Sequence, residues 1–311
     1  MKRFVFLMCM FVLSSEAYAR DQIRIVGSST VFPYTQAVAE EFGKKTGSPA
    51  PVVESTGIGG GMKIFCQGIG EEYPDIVNAS RPIIDSEKNF CDKNGVTDIT
   101  EIQIGFDGIS IAQSRKSKPL QFTKKQLFLA LAAKVPVDGK LVDNPYKTWN
   151  EIDASLPNTP IIVYGPPPTS GTRDAFVELA MEEGCVGIDL YKSKDECNIM
   201  RQDGPFIEAG ENDNLIVQRI EADLTSIGIF GYSFLYENQD KLHGISVDGV
   251  EPSFDTIADG SYGLSRPLFI YVKNAHRKMV ADLDAFIDEY TSEEAMGEDG
   301  YLVDRGLVVK Q

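Results

Sequence analysis

Short strand-like runs alternate with segments of helical periodicity along most of this chain, and no other feature constrains the fold as strongly. Residues 22–26 form a strand-like run, and Val31, Tyr34, Val38 and Phe42 then recur at helical spacing. Apolar residues three to four positions apart form one face of a helix, whereas a short β-branched run is typical of a strand. Because such pairs of strand and helix repeat, the sequence predicts an α/β fold.

The same pattern continues towards the end of the chain. Further strands are predicted at residues 52–54, 161–164, 227–230 and 268–272, and helices at 62–67, 173–183, 215–222, 233–237 and 280–290. Two extended segments, 99–106 and 108–112, join regions of different character. A chain of 311 residues exceeds what one hydrophobic core usually organises, so we expect two lobes.

The first nineteen residues have the three parts of a secretory signal peptide. Lys2 and Arg3 are basic, residues 4–13 form an apolar core, and Ala17-Tyr18-Ala19 supplies a cleavage site. The apolar core is too short to span, as a helix, a bilayer interior of roughly 30 Å. We therefore expect cleavage after Ala19 and a periplasmic protein that is not inserted in the membrane.

The formal charge is strongly negative. Removal of Lys2, Arg3 and Glu16 with the signal peptide would move the net charge from −16 to −17. Nucleic acids and anionic membrane surfaces are poor partners for such a chain. A small anion is not excluded, because local donors can bind it against an unfavourable long-range field.

Four cysteines follow the signal peptide, and an oxidising compartment favours disulfides. Three connectivities are open, and the pairing of sequence neighbours gives Cys66–Cys91 and Cys185–Cys197. A zinc site is the competing interpretation. The chain has no C-x-x-C motif and its two histidines are distant in sequence, so we predict no metal site.

Four loops rich in Ser, Thr and Gly are the candidate binding features. They span residues 27–33, 55–61, 78–82 and 168–173, and three of them join a strand to a helix. A helix start has unpaired N–H groups and the positive end of the helix dipole, which together favour an anion. Glycine permits close approach, and hydroxyls add donors. Each loop alone is also explained by ordinary helix capping.

The order and spacing of these loops resemble the periplasmic phosphate-binding proteins of high-affinity phosphate ABC transporters, in a subgroup with N-A-S-R-P and S-G-T-R motifs. Segments 63–66, 213–218, 228–232 and 264–268 match as well. The resemblance implies a two-lobed periplasmic binding protein fold with two crossover strands (type II). Lobe 1 would contain residues 20–104 and 266–311, and lobe 2 residues 105–265. Phosphate would bind between them.

By motif position, the resemblance also implies a set of phosphate-binding residues. They are Ser29, Thr30, Val31, Phe32, Thr56, Gly59, Gly60, Ser80, Arg81, Ser170, Gly171, Thr172 and Arg173. No cofactor, metal or catalytic residue is implied. The partners would be inorganic phosphate and an inner-membrane ABC transporter permease, to which a monomeric protein delivers its ligand.

Three positions depart from the usual family pattern. Ile58-Gly59 replaces a serine pair, Arg81 replaces an aspartate, and Pro166 stands where an arginine is usual. A site aspartate accepts a ligand proton and repels fully deprotonated anions such as sulfate. We expect Arg81 and Arg173 to supply the missing positive charge.

A different acceptor would then have to exclude sulfate, and Asp203 and Asp213 are the candidates. Two alternative functions stay open. One is the binding of another tetrahedral oxyanion, such as arsenate, sulfate or molybdate. The other is a periplasmic phosphatase, for which Ser29, Thr30 or Ser170 would need a base or a metal that the sequence does not place beside them. We therefore predict a binding protein rather than an enzyme.

Overall fold

The computed structural model describes residues 20–168, 170–210 and 213–309, and the predicted signal peptide lies outside this part of the chain. The strands are β1 Arg24–Gly27, β2 Val52–Ser55, β3 Ile76–Ala79, β4 Ile99–Ser114, β5 Gln121–Phe122, β6 Lys134–Val137, β7 Lys140–Asp143, β8 Val163–Gly165, β9 Phe206–Glu208, β10 Ile227–Gly231, β11 Leu242–Gly244, β12 Ser246–Val247 and β13 Ser265–Lys273.

The α-helices are α1 Phe32–Thr46, α2 Ile58–Phe65, α3 Asp85–Lys93, α4 Lys124–Leu131, α5 Trp149–Ile152, α6 Gly171–Phe176, α7 Glu183–Cys185, α8 Lys194–Cys197, α9 Asp213–Ala222, α10 Tyr232–Glu237, α11 Phe254–Ala258, α12 Leu283–Tyr290 and α13 Glu293–Met296. A π-helical segment, Val177–Glu182, joins α6 to α7. A 3-10 helix, Asn274–Lys278, follows β13. Among the described residues, we find no helix with the length and apolar character needed to cross a membrane.

One curved sheet passes through the molecule in the strand order β2-β1-β3-β13-β4-β10-β8-β9. Strand β4 belongs to both halves of this sheet. Its residues 99–108 pair with β13, and its residues 109–114 pair with β10 and β11. Strands β1, β2 and β3 are parallel, as are β8, β9 and β10. The carboxyl ends of each parallel set therefore meet at one edge, where ligands bind in open α/β sheets.

Helix α1 shows why the predicted elements form. Val31, Tyr34, Val38 and Phe42, the residues of the predicted apolar face, are all buried. The helix ends at Gly47, whose left-handed φ of 74° lets its amide donate to the carbonyl of Gly43. The helical spacing and the terminating glycine thus agree with each other.

Buried side chains form separate clusters on the two halves of the sheet. Ile25, Val38 and Phe286 belong to one cluster, and Ile111 and Trp149 to another. The predicted lobe boundaries at 104/105 and 265/266 fall in β4 and at the start of β13. The boundaries themselves stay a prediction.

Two of the predicted elements were wrong in extent. Segments 99–106 and 108–112 form a single strand, because Asp107 continues the ladder opposite Arg266. The helix predicted over 280–290 begins only at Leu283, after Asp282 with its left-handed φ of 58°. Both disulfides, Cys66–Cys91 and Cys185–Cys197, are present in the structure.

Candidate functional site

Three of the four predicted loops meet at the carboxyl edge of strands β1, β2 and β3. In the parallel register, Gly27 lies opposite Ser55 on one side and Asn78 on the other. The Ser28 amide donates to the Asn78 carbonyl at 2.9 Å, and the Thr56 amide donates to the Gly27 carbonyl at 3.0 Å. Hydrogen bonds thus tie the second and third loops directly to the first.

Gly27 is required for this close approach. It has a φ of +131°, and a Cβ at this position would lie 2.2 Å from the Asn78 carbonyl oxygen. A side chain would therefore force β1 and β3 apart at the point where their loops begin. The second loop then starts α2 with Gly59 and Gly60, which are exposed like Thr56, while Ser80 after β3 is buried.

Part of the donor capacity of the first loop is used within the loop itself. The Phe32 amide donates to the Ser28 carbonyl at 3.0 Å, and the Thr30 amide donates to Ser28 Oγ at 3.2 Å. Val31 is the buried residue before α1. The Phe32 amide, which the sequence placed among the ligand donors, is therefore already engaged in a turn.

The fourth loop faces the first loop across the cleft between the lobes. Ser170 caps α6, because its hydroxyl accepts from the Thr172 amide at 3.2 Å. A Cβ on Gly171 would lie 3.1 Å from Thr30 Cα and 3.2 Å from the Ser29 carbonyl oxygen. Residues 170–172 and residues 29–30 thus come together although they lie far apart in sequence.

The helix that follows the fourth loop carries two carboxylates into the same region. Asp174 Oδ2 accepts from the Ser29 hydroxyl at 2.8 Å. Glu178, one turn further on, forms an ion pair with Arg266. These contacts join the two halves of the molecule and occupy donors that an anionic ligand would use.

Arg81 is near the third loop but is already paired. Its guanidinium forms a two-pronged ion pair with Glu87 at 2.8 and 3.0 Å and also donates to the Pro82 carbonyl. The hydrogen bonds to Glu87 raise the pKa of Arg81 further. The sequence suggested that this guanidinium would be a free donor to an anion. In the structure it is instead paired with Glu87.

Arg173 points away from the other loops. Its guanidinium lies over the Phe206 ring, 4.6 Å from the ring centre, and donates to the Pro166 carbonyl. Burial lowers the pKa of Arg173, and the nearby charges of Glu208 and Asp174 oppose this shift. The second arginine predicted to contact the ligand is thus engaged with an aromatic ring and a backbone carbonyl.

The acceptor predicted for sulfate exclusion is also differently placed. Asp203 forms ion pairs with Arg201 and Lys147, and the hydrogen bond from Arg201 holds the pKa of this carboxyl well below its usual range. Asp203 therefore serves an ion-pair network that the sequence did not reveal. The side chain of Asp213 lies outside the described part of the structure.

The sequence reasoning missed two charged residues beside the first loop: Asp107 lines the cleft, and Arg266 contacts Thr30. Arg266 donates from Nη2 to Thr30 Oγ1 at 2.5 Å, and its Nε lies 3.5 Å from Asp107 Oδ2. Both side chains are buried, with exposed fractions of 6% and 11%. A charge within a buried, otherwise apolar crossover strand is costly unless paired, and that signal could have identified them.

The ionisation of Asp107 is shaped by its surroundings. Burial raises the pKa of Asp107, the Arg266 charge opposes this, and the Glu178 charge adds to it. Burial also raises the pKa of Tyr34, and the Asp107 charge reinforces that shift. Asp107 and Tyr34 therefore lie in one desolvated environment beside the first loop.

The cleft has a volume of about 540 Å³. The residues that line it come from the first and fourth loops, from the crossover strand β4, from α10 and from the C-terminal segment: Ser29, Thr30, Phe32, Pro33, Tyr34, Asp107, Ser170, Gly171, Thr172, Gly231, Ser233, Phe234, Glu237, Asp304, Arg305 and Gly306. No cluster of His, Cys, Asp and Glu suited to a metal ion occurs within the ranges that the structure describes. The lining offers hydroxyls, backbone amides and the Arg305 guanidinium as donors, beside the carboxylates of Asp107, Glu237 and Asp304.

Comparisons with known proteins give a consistent result. A family model described as the PBP superfamily domain matches residues 14–294. Protein SphX from Synechococcus elongatus is 32% identical over 287 residues, which cover 90% of this chain and 76% of that protein. The phosphate-binding protein PstS from Staphylococcus saprophyticus is 34% identical over 268 residues, covering 84% of this chain and 72% of that protein.

A solved structure is similar over nearly the whole chain. It is the crystal structure of "a possible phosphate binding protein" from Planctomyces limnophilus, with a TM-score of 0.76 and 32% identity, and the match covers 94% of each chain. This similarity confirms the predicted α/β, two-lobed periplasmic binding protein fold.

Proposed function

This chain belongs to the PBP superfamily, and we propose that it binds inorganic phosphate in the cleft between its lobes and delivers it to an ABC transporter permease. The names of the relatives support the ligand, since PstS is called a phosphate-binding protein. The predicted signal peptide supports a periplasmic location. A monomer without a cofactor is sufficient for this role.

The meeting of the first and fourth loops across the cleft carries the proposal. Residues 29–30 and 170–172 bring hydroxyls and backbone amides of two separate helix starts to within contact distance. A tetrahedral oxyanion has acceptor oxygens on every side, so it is best held by donors from opposed walls. Two facing loops of this composition supply that arrangement.

We assign the direct contacts to a subset of the predicted residues. Ser29, Thr30 and residues 170–172 line the cleft, while Ser80 and the Thr56 loop adjoin the first loop. Arg81 would have to leave Glu87 to reach a ligand, and Arg173 would have to leave the Phe206 ring. These two arginines therefore act through their charge and through positioning of the loops.

Capture would proceed by closure of the lobes about the crossover strands β4 and β13. Bending at residues 104–108 and 263–267 would bring the fourth loop onto an anion already bound to the first. Water leaves as the cleft closes, which strengthens each bond between donor and anion. The closed form would then present both lobes to the permease.

We propose binding rather than catalysis. Of the two histidines, His276 is bonded to Asp75 and Gly70, and His243 lies in β11, so neither is beside the loop hydroxyls. The Ser29 hydroxyl does have a carboxylate partner in Asp174. An assay with p-nitrophenyl phosphate on chelator-treated protein would test this alternative, and sustained turnover would contradict a pure binding role.

Isothermal titration of ligand-stripped protein with phosphate tests the proposal directly. We expect tight binding of one phosphate per chain, unaffected by excess sulfate. Arsenate, with nearly the same shape and protonation as phosphate, should compete. A ligand other than phosphate, such as sulfate or molybdate bound in preference, would contradict the assignment of the ligand. The absence of binding by any oxyanion would contradict the proposed function as a whole.

A further inference from the structure

Asp107 and Arg266 are neighbours on the two crossover strands. Their Cα atoms are partners in the antiparallel register of β4 and β13. Counted over the whole residue rather than the side chain alone, Asp107 is 8% exposed and Arg266 is 5% exposed. The crossover strands join the two lobes. A charged pair on these strands therefore stays beside the cleft when the lobes close.

The hydrogen-bonding capacity of this pair is not used up by the protein. Asp107 Oδ2 and Arg266 Nε are buried and have no hydrogen-bond partner among the described residues. The 3.5 Å between them is an ion-pair contact and exceeds hydrogen-bond length. Buried polar atoms usually have a closer partner than this, so the loosely paired acceptor and donor retain capacity for a ligand.

Asp107 presents its hydrogen-bonding capacity to the cleft. Asp107 lines the same cavity as Ser29, Thr30 and residues 170–172. Arg266 bonds to Thr30 in the first loop and to Glu178 beyond the fourth loop, so it reaches both walls. An anion bound between the loops would therefore meet Asp107 directly, and it would meet Arg266 where that guanidinium contacts Thr30.

We propose that Asp107 and Arg266 determine the specificity of the site, an inference that rests on the proposed phosphate-binding function. Arg266 donates to a phosphate oxygen and holds the Asp107 carboxylate in place. Asp107 accepts the hydrogen of a protonated phosphate oxygen. The pair thus takes over the acceptor role lost with the aspartate that Arg81 replaces, and the positive charge absent at Pro166.

The hydroxyls that line the cleft cannot by themselves distinguish sulfate from phosphate. Hydroxyls of Ser and Thr can donate or accept, so they adapt equally well to sulfate and to phosphate. An ionised carboxylate can only accept, and sulfate at neutral pH has no hydrogen to offer it. A carboxylate beside the bound anion therefore repels sulfate while it pairs with protonated phosphate.

The Asp107→Asn variant tests this inference with phosphate and sulfate as ligands. The change keeps the size of the side chain and removes its charge. We expect phosphate to bind about 10- to 100-fold more weakly, as for loss of a hydrogen bond to a charged group. Sulfate, which should not compete in the unmodified protein, should now compete with phosphate.

Asp189→Asn is the matched control, because Asp189 is an exposed aspartate that is not among the residues lining the cleft. It should leave both affinities within about two-fold, since exposed charges contribute little. Asp107→Glu, which retains a carboxylate, should keep sulfate excluded. If the Asn variant does not fold by circular dichroism, the smaller Asp107→Ser replaces it with the same expectation.

The outcomes separate this inference from the proposed function. A folded, uncharged Asp107 variant that still excludes sulfate would overturn the inference and leave phosphate binding in place. A parent protein that binds no oxyanion would overturn the proposed function itself. Equal gains in sulfate competition for the Asp107 and Asp189 variants would show a general charge effect and would also overturn the inference.

Discussion

At the scale of single residues, the contact between Gly61 and Gly27 holds α2 against β1 at the mouth of the cleft. A Cβ on Gly61 would lie 2.6 Å from Gly27 Cα and 3.1 Å from Val77 Cγ2. The first of these neighbours is backbone, which cannot rotate away. The position of the second loop therefore depends on the absence of a side chain at residue 61.

Gly61→Ala should destabilise the protein by about 1–3 kcal/mol, the usual cost of overpacking. Gly59→Ala in the same helix is the control, since a Cβ there has nothing within 4 Å. It should be neutral or stabilise by up to about 1 kcal/mol through helix propensity. Urea unfolding of both variants measures the difference, and similar midpoints would contradict the predicted steric clash.

At the scale of elements, each disulfide links two helical segments, which strand pairing in the sheet does not hold together. Cys66 follows α2 and Cys91 lies in α3, so one bond ties the helix behind the second loop to its neighbour. Cys185 at the end of α7 is joined to Cys197 in α8. All four sulfur-bearing residues are buried in hydrophobic clusters.

Replacing both members of the first bond, as Cys66→Ala with Cys91→Ala, should lower the free energy of unfolding. The bond closes a loop with a sequence separation of 25 residues. Loop entropy predicts a loss of about 3.5 kcal/mol for a loop of this length. Urea unfolding in non-reducing buffer measures it. A loss below about 1 kcal/mol, outside the typical range, would show that packing of α2 on α3 holds without the bond.

At the scale of the whole molecule, the net charge opposes the proposed ligand. The formal charge of the full sequence is −16, and an anion approaching the cleft meets this repulsive long-range field. Binding must then rely on short-range donors such as the Ser29 and Thr30 hydroxyls and on the Arg266 guanidinium. The affinity for phosphate would then depend on these nearby donors, whereas the rate at which phosphate encounters the cleft would depend on the charge of the whole surface.

The association rate constant for phosphate should therefore rise with ionic strength. Salt shortens the screening length to about 10 Å at 0.1 M, which weakens the long-range repulsion. We expect a rise of roughly two- to ten-fold between low salt and 0.2 M, with little change in dissociation. Stopped-flow fluorescence would measure both rates. A falling association rate would show that a local positive field at the cleft dominates.

Much of the fold could be predicted because it depends on local patterns. The apolar spacing from Val31 to Phe42 predicted α1, and all four residues of that face are buried. The family resemblance placed residues 29–30 and 170–172 in one site, and the structure brings them together. Pairing each cysteine with its nearest neighbour along the chain also predicted both disulfides, because a short separation in sequence favours bond formation.

The sequence alone thus determined most of the helices and strands and the loops that join them, since periodicity and helix starts are properties of neighbouring residues. Only the tertiary structure decided which charged side chains lie beside the loops. Arg81 and Arg173 are taken by Glu87 and Phe206, and Arg266 reaches Thr30 beside Asp107. The physical reason is that a long side chain turns towards whatever partner the folded chain places beside it, and crossover strands bring those partners from distant segments.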